Sequence, residues 1–267
     1  MPSKSAAPTS TPPTDARGTQ AIRRAAAILR HIAAAGAAGA PLADVARGQQ
    51  LARSTAHRIL RCLVDEGLVA QPEADKRYHL GHLLHELGLA QGASALEIAQ
   101  WRPVVEAIAQ RTGVTTYLMR RSGMEAVCVA KADGNSSLRF VPVEVGQRRL
   151  LGVGAGATAL LAALPQAQVE EILRRIALGH RAYPRIDEAG VREAVRYARE
   201  HGLVISQGTV AENGFGMGRV IPDAQRLPTL AISIASHASH VTESAISRWK
   251  RVLEEEISAA CREHAAP

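Results

Sequence analysis

The chain has 267 residues and a formal charge of +7, with 46% hydrophobic but only 3% aromatic residues. That length allows one large domain or two ordinary ones, with a core drawn mainly from Ala, Leu, Val and Ile. Cys62, Cys128 and Cys261 share no metal-type spacing and are odd in number, which argues against a disulfide framework and fits a reducing cytoplasm; no apolar run is long enough for a membrane span.

Residues 1–18 are rich in Pro, Ser, Thr and Ala and lack an apolar signal core, so they read as a disordered tail. Thr19 to Ala35 predicts a helix with Ile22, Ala25, Ile28, Leu29 and Ile32 inward. Arg23 and Arg24 near its start could meet phosphate, or Arg24 could pair within the domain. Gly36 and Gly39 end this helix. Pro41 suits the first turn of a second helix, where its missing N–H costs nothing, and Leu42, Val45 and Ala46 mark its buried face. Gly48 breaks it, and Gln49, Gln50 and Leu51 turn the chain into a third helix from about Ala52 to Glu66, closed by Gly67.

That third helix is apolar at Ile59, Leu60, Leu63 and Val64 and basic or polar at Arg53, Ser54, Thr55, His57, Arg58 and Arg61. A helix fits the major groove of B-DNA, and Arg, Ser and Thr can reach base edges or phosphates from it. A merely solvated helix face is the alternative. Val69 to Leu80 predicts a β-hairpin, with Glu73, Ala74 and Asp75 at the bend and Lys76, Arg77 and Tyr78 on the return strand. A helix-turn-helix followed by a basic hairpin is a winged helix, which implies a double-stranded DNA partner. Charge follows the same division: residues 1–80 hold 11 Lys/Arg against 6 Asp/Glu, and the remaining 187 hold 21 against 19. Arg53, Thr55 and Arg58 are the candidates for base contacts, and Lys76 and Arg77 for wing phosphates.

Gly18-TQAIRRAAAI-Leu29, Leu51-ARSTAHRI-Leu60, and Gly67-LV followed by Tyr78-HLG resemble the N-terminal domain of IclR-type bacterial transcription regulators. The run Ser54-Thr-Ala-His-Arg58 is the most specific piece, and the resemblance extends to about Cys261. It implies an α+β protein: a winged helix-turn-helix over 19–80, a linker helix over 81–94 and a GAF-like effector domain over 95–263. It also implies a homodimer or homotetramer.

Around the start of the linker, His79, His82 and His85 could be read as a metal cluster, but their positions drift round a helix and no Cys lies nearby to complete a site, so exposed or interface histidines are the better reading. No metal or cofactor is expected. Beyond it, Ile98–Arg111 predicts a helix with Pro103 at a bend. Val114–Arg121 and Met124–Lys131 predict a hairpin turning at Ser122-Gly123, and Leu138–Val145 a third strand. Helices follow near 155–164, 168–178 and 187–201, strands near 203–206, 217–221 and 229–236, and a last helix over 242–261. Antiparallel hairpins with helices between them predict α+β rather than a doubly wound sheet.

Glycines 152, 154 and 156 precede an Ala/Leu helix in Leu151-GVGAGATALLAA-Leu164. Such a start leaves N–H groups open to an anion, although small residues there would equally serve close helix–sheet packing. The match to a dinucleotide-binding glycine pattern is loose, with no clear βαβ unit around it. The resemblance implies a small organic or aromatic acid beside this loop, with pocket positions Ser137, Gly154, Ala155, Ser206, Gly214, Gly216, Ser233 and Ala235. Some relatives that bind small acids carry an acid, a Cys and a second Ser where this chain has Ser206, Gly216 and Ala235. The smaller groups here imply a bulkier ligand. Asn213-GFGMG-Arg219 reads as a flap or a plain turn, and Arg219, His237 and His240 are further candidates for a carboxylate. As an alternative class, Ser206, Ser233, His237 and Asp223 could assemble a hydrolytic triad, but the chain carries no G-x-S-x-G, H-E-x-x-H or Walker lysine.

Overall fold

The computed structural model describes residues 15–90, 93–136, 143–176, 183, 185–223 and 227–265. The chain divides into two compact units between Leu87 and Gly88.

In the first unit, α1 spans Asp15–Ala35 and so begins four residues before the expected Thr19. Ile28 and Ile32 are fully buried, but Ile22, expected inward, is 71% exposed. A 3-10 turn over Gly36–Ala38 leads to α2 (Leu42–Gly48), with Pro41 as its extended N-cap rather than in its first turn. The turn into α3 (Arg53–Asp65) is held by the Leu51 N–H donating to the Ala46 carbonyl at 2.9 Å, with Gln50 at φ 52°. Gly67, at φ 70°, ends α3 while the Leu68 N–H caps the Leu63 carbonyl. The wing is shorter than expected, with only β1 (Val69–Ala70) and β2 (His79–Leu80) paired. Lys76 and Arg77 therefore lie in the turn, not on the return strand, and Lys76 takes φ 54°. Tyr78 is diverted into a bridge with Ala40. Ile28, Ile32, Val45, Leu60, Leu63, Val69 and Tyr78 form this unit's core. Helix α4 spans His82–Ala90.

The second unit is built on an antiparallel six-stranded sheet of order β5-β4-β3-β8-β7-β6. Its elements are α5 (Ala93–Thr112), β3 (Thr115–Ser122), β4 (Glu125–Ala132), β5 (Arg148–Leu150), α6 (Ala155–Ala162) and α7 (Gln166–Ile176). Then come α8 (Glu188–His201), β6 (Val204–Gln207), β7 (Gly214–Val220), β8 (Leu230–His237) and α9 (Glu243–Ala265). Helix α5 runs through Pro103 without ending. The strand expected over 138–145 falls partly outside the described residues; Val143 to Val145 are not strand, and the third strand is the short β5. The stretch Asn213–Arg219 is neither flap nor plain turn, because from Gly214 onward it is β7, paired on both sides by β6 and β8.

Alternation along the strands sorts residues to two faces. Leu118, Met217, Ile232 and Ile234 pack with Trp101, Ile108, Trp249, Leu253 and Ile257 of α5 and α9. Tyr117, Met119, Ala126, Cys128, Ala231 and Ala235 turn the other way, toward α6 and α8. Helix α6 is buried all round, which accounts for its Ala, Gly and Leu composition.

Candidate DNA-binding face and ligand cavity

On α3, the side chains that pack are Ala56, Leu60 and Leu63, and the opposite face carries Arg53, Ser54, His57, Arg58 and Arg61, all exposed. Thr55 is half-buried. Among the described residues no carboxylate lies within ion-pair distance of Arg53, Arg58 or Arg61, so this charge is not spent inside the unit. The N-cap of α3 is Ala52, which has no side chain to cap it. The open N–H groups of the first turn thus add to the positive end of the helix.

The wing turn is set by Asp75, whose carboxylate accepts from the Arg77 N–H at 2.9 Å and lies 3.1 Å from the His79 ring. The Arg77 hydrogen bond, then His79, holds the Asp75 carboxyl below its ordinary range. Lys76 is exposed at the tip, whereas Arg77 is half-buried, its Nε enclosed and without a hydrogen-bond partner among the described residues. Arg24 is half-buried on α1.

In the second unit, a cavity of about 520 Å³, its open mouth included, lies between the sheet and the start of α6. Strand register forms its floor. Ser206, Gly216 and Ala235 stand side by side across β6, β7 and β8, and Gly218, Ser233 and Tyr117 form the next row across β7, β8 and β3. Gly154, Ala155, Gly156 and Ala157 form the roof. Of the expected pocket positions, Gly154, Ala155, Ser206, Gly214, Gly216, Ser233 and Ala235 all line this cavity, while Ser137 lies outside the described residues.

The roof is close because β7 lacks side chains beneath it. A Cβ on Gly218 would sit 2.8 Å from the Ala155 backbone, and one on Gly156 would meet Ser233 Oγ and Met119 Cγ at 2.8 Å. Gly154, at φ 81°, caps α6 without a side-chain hydrogen bond, and the Thr158 N–H is the first to find a helical acceptor, at Gly154. The N–H groups of Ala155, Gly156 and Ala157 therefore have no acceptor within the helix. Close packing and an open helix terminus coexist here.

Sequence reasoning missed part of the lining: Tyr117, Met119, Val143, Arg149, Thr209 and Val210. Arg149 is the only charged residue among the described lining residues. Adjacent arginines on a strand point to opposite faces; Arg148 pairs with Glu125 at 2.8 Å, and Arg149 turns to the cavity. Burial pulls the Arg149 guanidinium below its ordinary pKa, raises the Tyr117 phenol, and pushes the Cys128 thiol up to about 12. Among the described residues the buried Tyr117 hydroxyl has no hydrogen-bond partner. Ser206 and Thr209 share a hydrogen bond of 2.5 Å.

The other carboxylate candidates do not reach the cavity. Arg219 pairs with Glu254 at 2.7 Å on the α9 side, His237 bonds Ser239 at 2.8 Å, and His240 lies 3.4 Å from Ser136. Neither His237 nor Asp223 lines the cavity that holds Ser206 and Ser233, so the triad is not assembled. Among the described residues no group of His, Cys, Asp or Glu is placed to hold a metal, and no helix is long and apolar enough to cross a membrane.

A helix-turn-helix unit with an unneutralised basic helix, joined to a sheet domain, defines a DNA-binding transcription regulator with a C-terminal effector domain. Residues 21–73 match the IclR helix-turn-helix domain, and residues 91–262 match the C-terminal domain of bacterial transcriptional regulator IclR. The chain belongs to the IclR family of transcriptional regulators. These are not enzymes, and the hydrolytic alternative falls.

Among relatives, the transcriptional regulator KipR of Bacillus subtilis is 25% identical over 72% of this chain and 76% of its own length. The transcriptional repressor AllR of Salmonella typhimurium is 26% identical over 86% of this chain and 85% of its own. An IclR transcriptional regulator from Alicyclobacillus acidocaldarius superposes with a TM-score of 0.72 at 23% identity, covering 90% of this chain and 97% of that one. An IclR homologue from Microbacterium hydrocarbonoxydans, solved with 4-hydroxybenzoate, superposes with a TM-score of 0.67 at 22% identity, covering 91% and 99%.

Proposed function

We propose that this regulator responds to a small organic or aromatic acid held in the cavity beneath α6, and that it binds a pseudo-palindromic operator as a homodimer or homotetramer. The observation that carries the ligand reading is the convergence of seven resemblance-implied positions on one cavity whose only charged lining residue, among those described, is the cation Arg149. The 4-hydroxybenzoate bound to the Microbacterium relative is an acid of this class. Small groups at Ser206, Gly216 and Ala235 favour a bulkier acid over a two- or three-carbon one.

In this reading residues 19–80 bind DNA, 81–94 link, and 95–263 sense. Arg53, Thr55 and Arg58 meet base edges; Ser54, His57, Arg61, Arg24, Lys76 and Arg77 meet or support phosphate contacts. The acid changes operator affinity only as far as its own affinity differs between the two states of the protein. Binding to the DNA upstream of the protein's own gene, measured with and without a panel of organic and aromatic acids, tests the whole reading. Tight, salt-sensitive binding altered by one acid is expected. Specific binding indifferent to every acid would remove the ligand half of it.

A further inference from the structure

The tip of the wing, residues 71–77, carries Glu73 and Asp75 close to Lys76, and all three are exposed. Carboxylates on a surface that meets phosphates oppose binding by their charge. Lys76 is also a costly choice for its backbone, since φ 54° lies in the left-handed region that glycine takes freely. Hydrogen bonds hold that conformation. The Lys76 N–H donates to the Pro72 carbonyl at 3.2 Å, and the Gln71 side-chain amide donates to the Lys76 carbonyl at 2.9 Å. Asp75 Oδ1 accepts from the next N–H, that of Arg77, at 2.9 Å. Its Oδ2 lies 3.1 Å from His79 Nε2, and the His79 ring lies against Gly39, where a Cβ would approach it to 2.4 Å. Beside that contact, Tyr78 and Ala40 exchange two backbone hydrogen bonds of 2.9 Å. The tip is thereby tied to the segment before α2, and not only to its own short strands.

We propose that Asp75 is a positioning residue for DNA binding: together with Gln71 it fixes the backbone of Lys76 so that the ammonium is presented to a phosphate. This rests on the reading of Lys76 as a wing phosphate contact. Both backbone groups of Lys76 are bonded within the tip, so the exposed side chain is the part left to meet a partner. A loop already ordered in its bound shape loses less conformational freedom on binding than a loose one. Asp75 also stays ionised at neutral pH, because the Arg77 hydrogen bond, then His79, holds its carboxyl below the ordinary range. An ionised carboxylate is the stronger acceptor for a backbone N–H. Charge and position then predict opposite signs. By charge alone, removing an acid from the tip tightens binding to DNA. By position, removing this acid loosens it.

Fluorescence anisotropy of the full-length protein on the duplex upstream of its own gene, over a salt series, decides between them. Lys76→Ala sets the reference, with a salt slope smaller by about 1. Asp75→Ala and the charge-neutral Gln71→Ala should each weaken binding severalfold and move the salt slope toward that reference. In the Lys76→Ala background neither should weaken binding further. Asp75→Asn keeps the acceptor and drops the charge, and should bind more tightly than Asp75→Ala. Glu73→Ala removes an equal charge from the same tip and should not weaken binding. Circular dichroism checks that each variant folds, and Gln71→Ala serves if Asp75→Ala does not. Tighter binding by Asp75→Ala, an equal loss in Glu73→Ala, or losses that persist in the Lys76→Ala background overturn the positioning role and leave Lys76 as a phosphate contact. Unchanged affinity and salt slope in Lys76→Ala remove the wing contact itself, and the positioning role with it.

Discussion

Gly218 and Ala155 are in backbone contact: a methyl group on Gly218 would lie 2.8 Å from the carbonyl carbon and oxygen of Ala155. The floor and roof of the cavity are therefore held together at this point. Gly218→Ala forces the start of α6 to shift and should destabilise the second unit by about 1–3 kcal/mol, the usual cost of overpacking. Urea denaturation followed by tryptophan fluorescence would measure it. An unchanged midpoint would mean that α6 moves freely on β7.

Fluorescence is suited to that measurement because Trp101 and Trp249 are the only tryptophans, and both are buried beneath the α5–α9 face of the second unit. The Trp249 indole donates to the Thr112 carbonyl at 3.2 Å and ties α9 to the end of α5. Trp249→Ala should cost about 3–5 kcal/mol, as other large core truncations do. Two midpoints are expected in a full-length unfolding scan, and only the second unit's should move.

At the DNA-binding face, Arg58→Ala and Lys76→Ala should fail differently. Losing a bidentate base contact at Arg58 should cost about 1–3 kcal/mol and relax preference at one base position. Lys76, exposed at the wing tip, should weaken all sequences alike and lower the salt slope of binding by about 1. Fluorescence anisotropy on matched and mismatched duplexes over a salt series separates the two. A sequence-selective loss in the Lys76 variant would mean that the wing reads bases.

The cysteines should differ in reactivity. Cys62 is exposed on α3, while Cys128 is fully buried and its thiol is pushed up to about 12 by burial. A thiol reagent at pH 8 should label Cys62 in the folded protein and leave Cys128 untouched until denaturation. Because the folded-state pKa is above the unfolded value, near 8.5, Cys128 contributes stability that is full below about pH 8 and lost as pH rises toward 12. Stability measured from pH 8 to 11 should therefore fall more in the wild type than in Cys128→Ala.

The helix-turn-helix was legible in the sequence because local signals agree there: apolar spacing, Gly67, and a basic run without an acid between Arg53 and Arg61. The wing was harder, since Tyr78 leaves the hairpin for Ala40 and only two residues of each strand pair. Glycines misled the reading of 213–219. A strand with glycines at 214, 216 and 218 looks like a turn until the helix above it is known, and that contact is nonlocal. The pocket positions that came from resemblance converge, whereas Arg149 and Tyr117 went unnoticed because only the sheet order brings them to one cavity. Periodicity reads which face a residue takes, but not which strands become neighbours.

The uncapped start of α6 has one more consequence. An anion held there would do for the helix what a serine or aspartate side chain does elsewhere, and the unfolded chain offers it no such place. Its concentration would then enter the folding equilibrium itself, raising stability by about 2.7 kcal/mol at a hundredfold excess over Kd. The sensing unit would melt at a temperature that reports how much metabolite surrounds it, while the isolated DNA-binding unit would not.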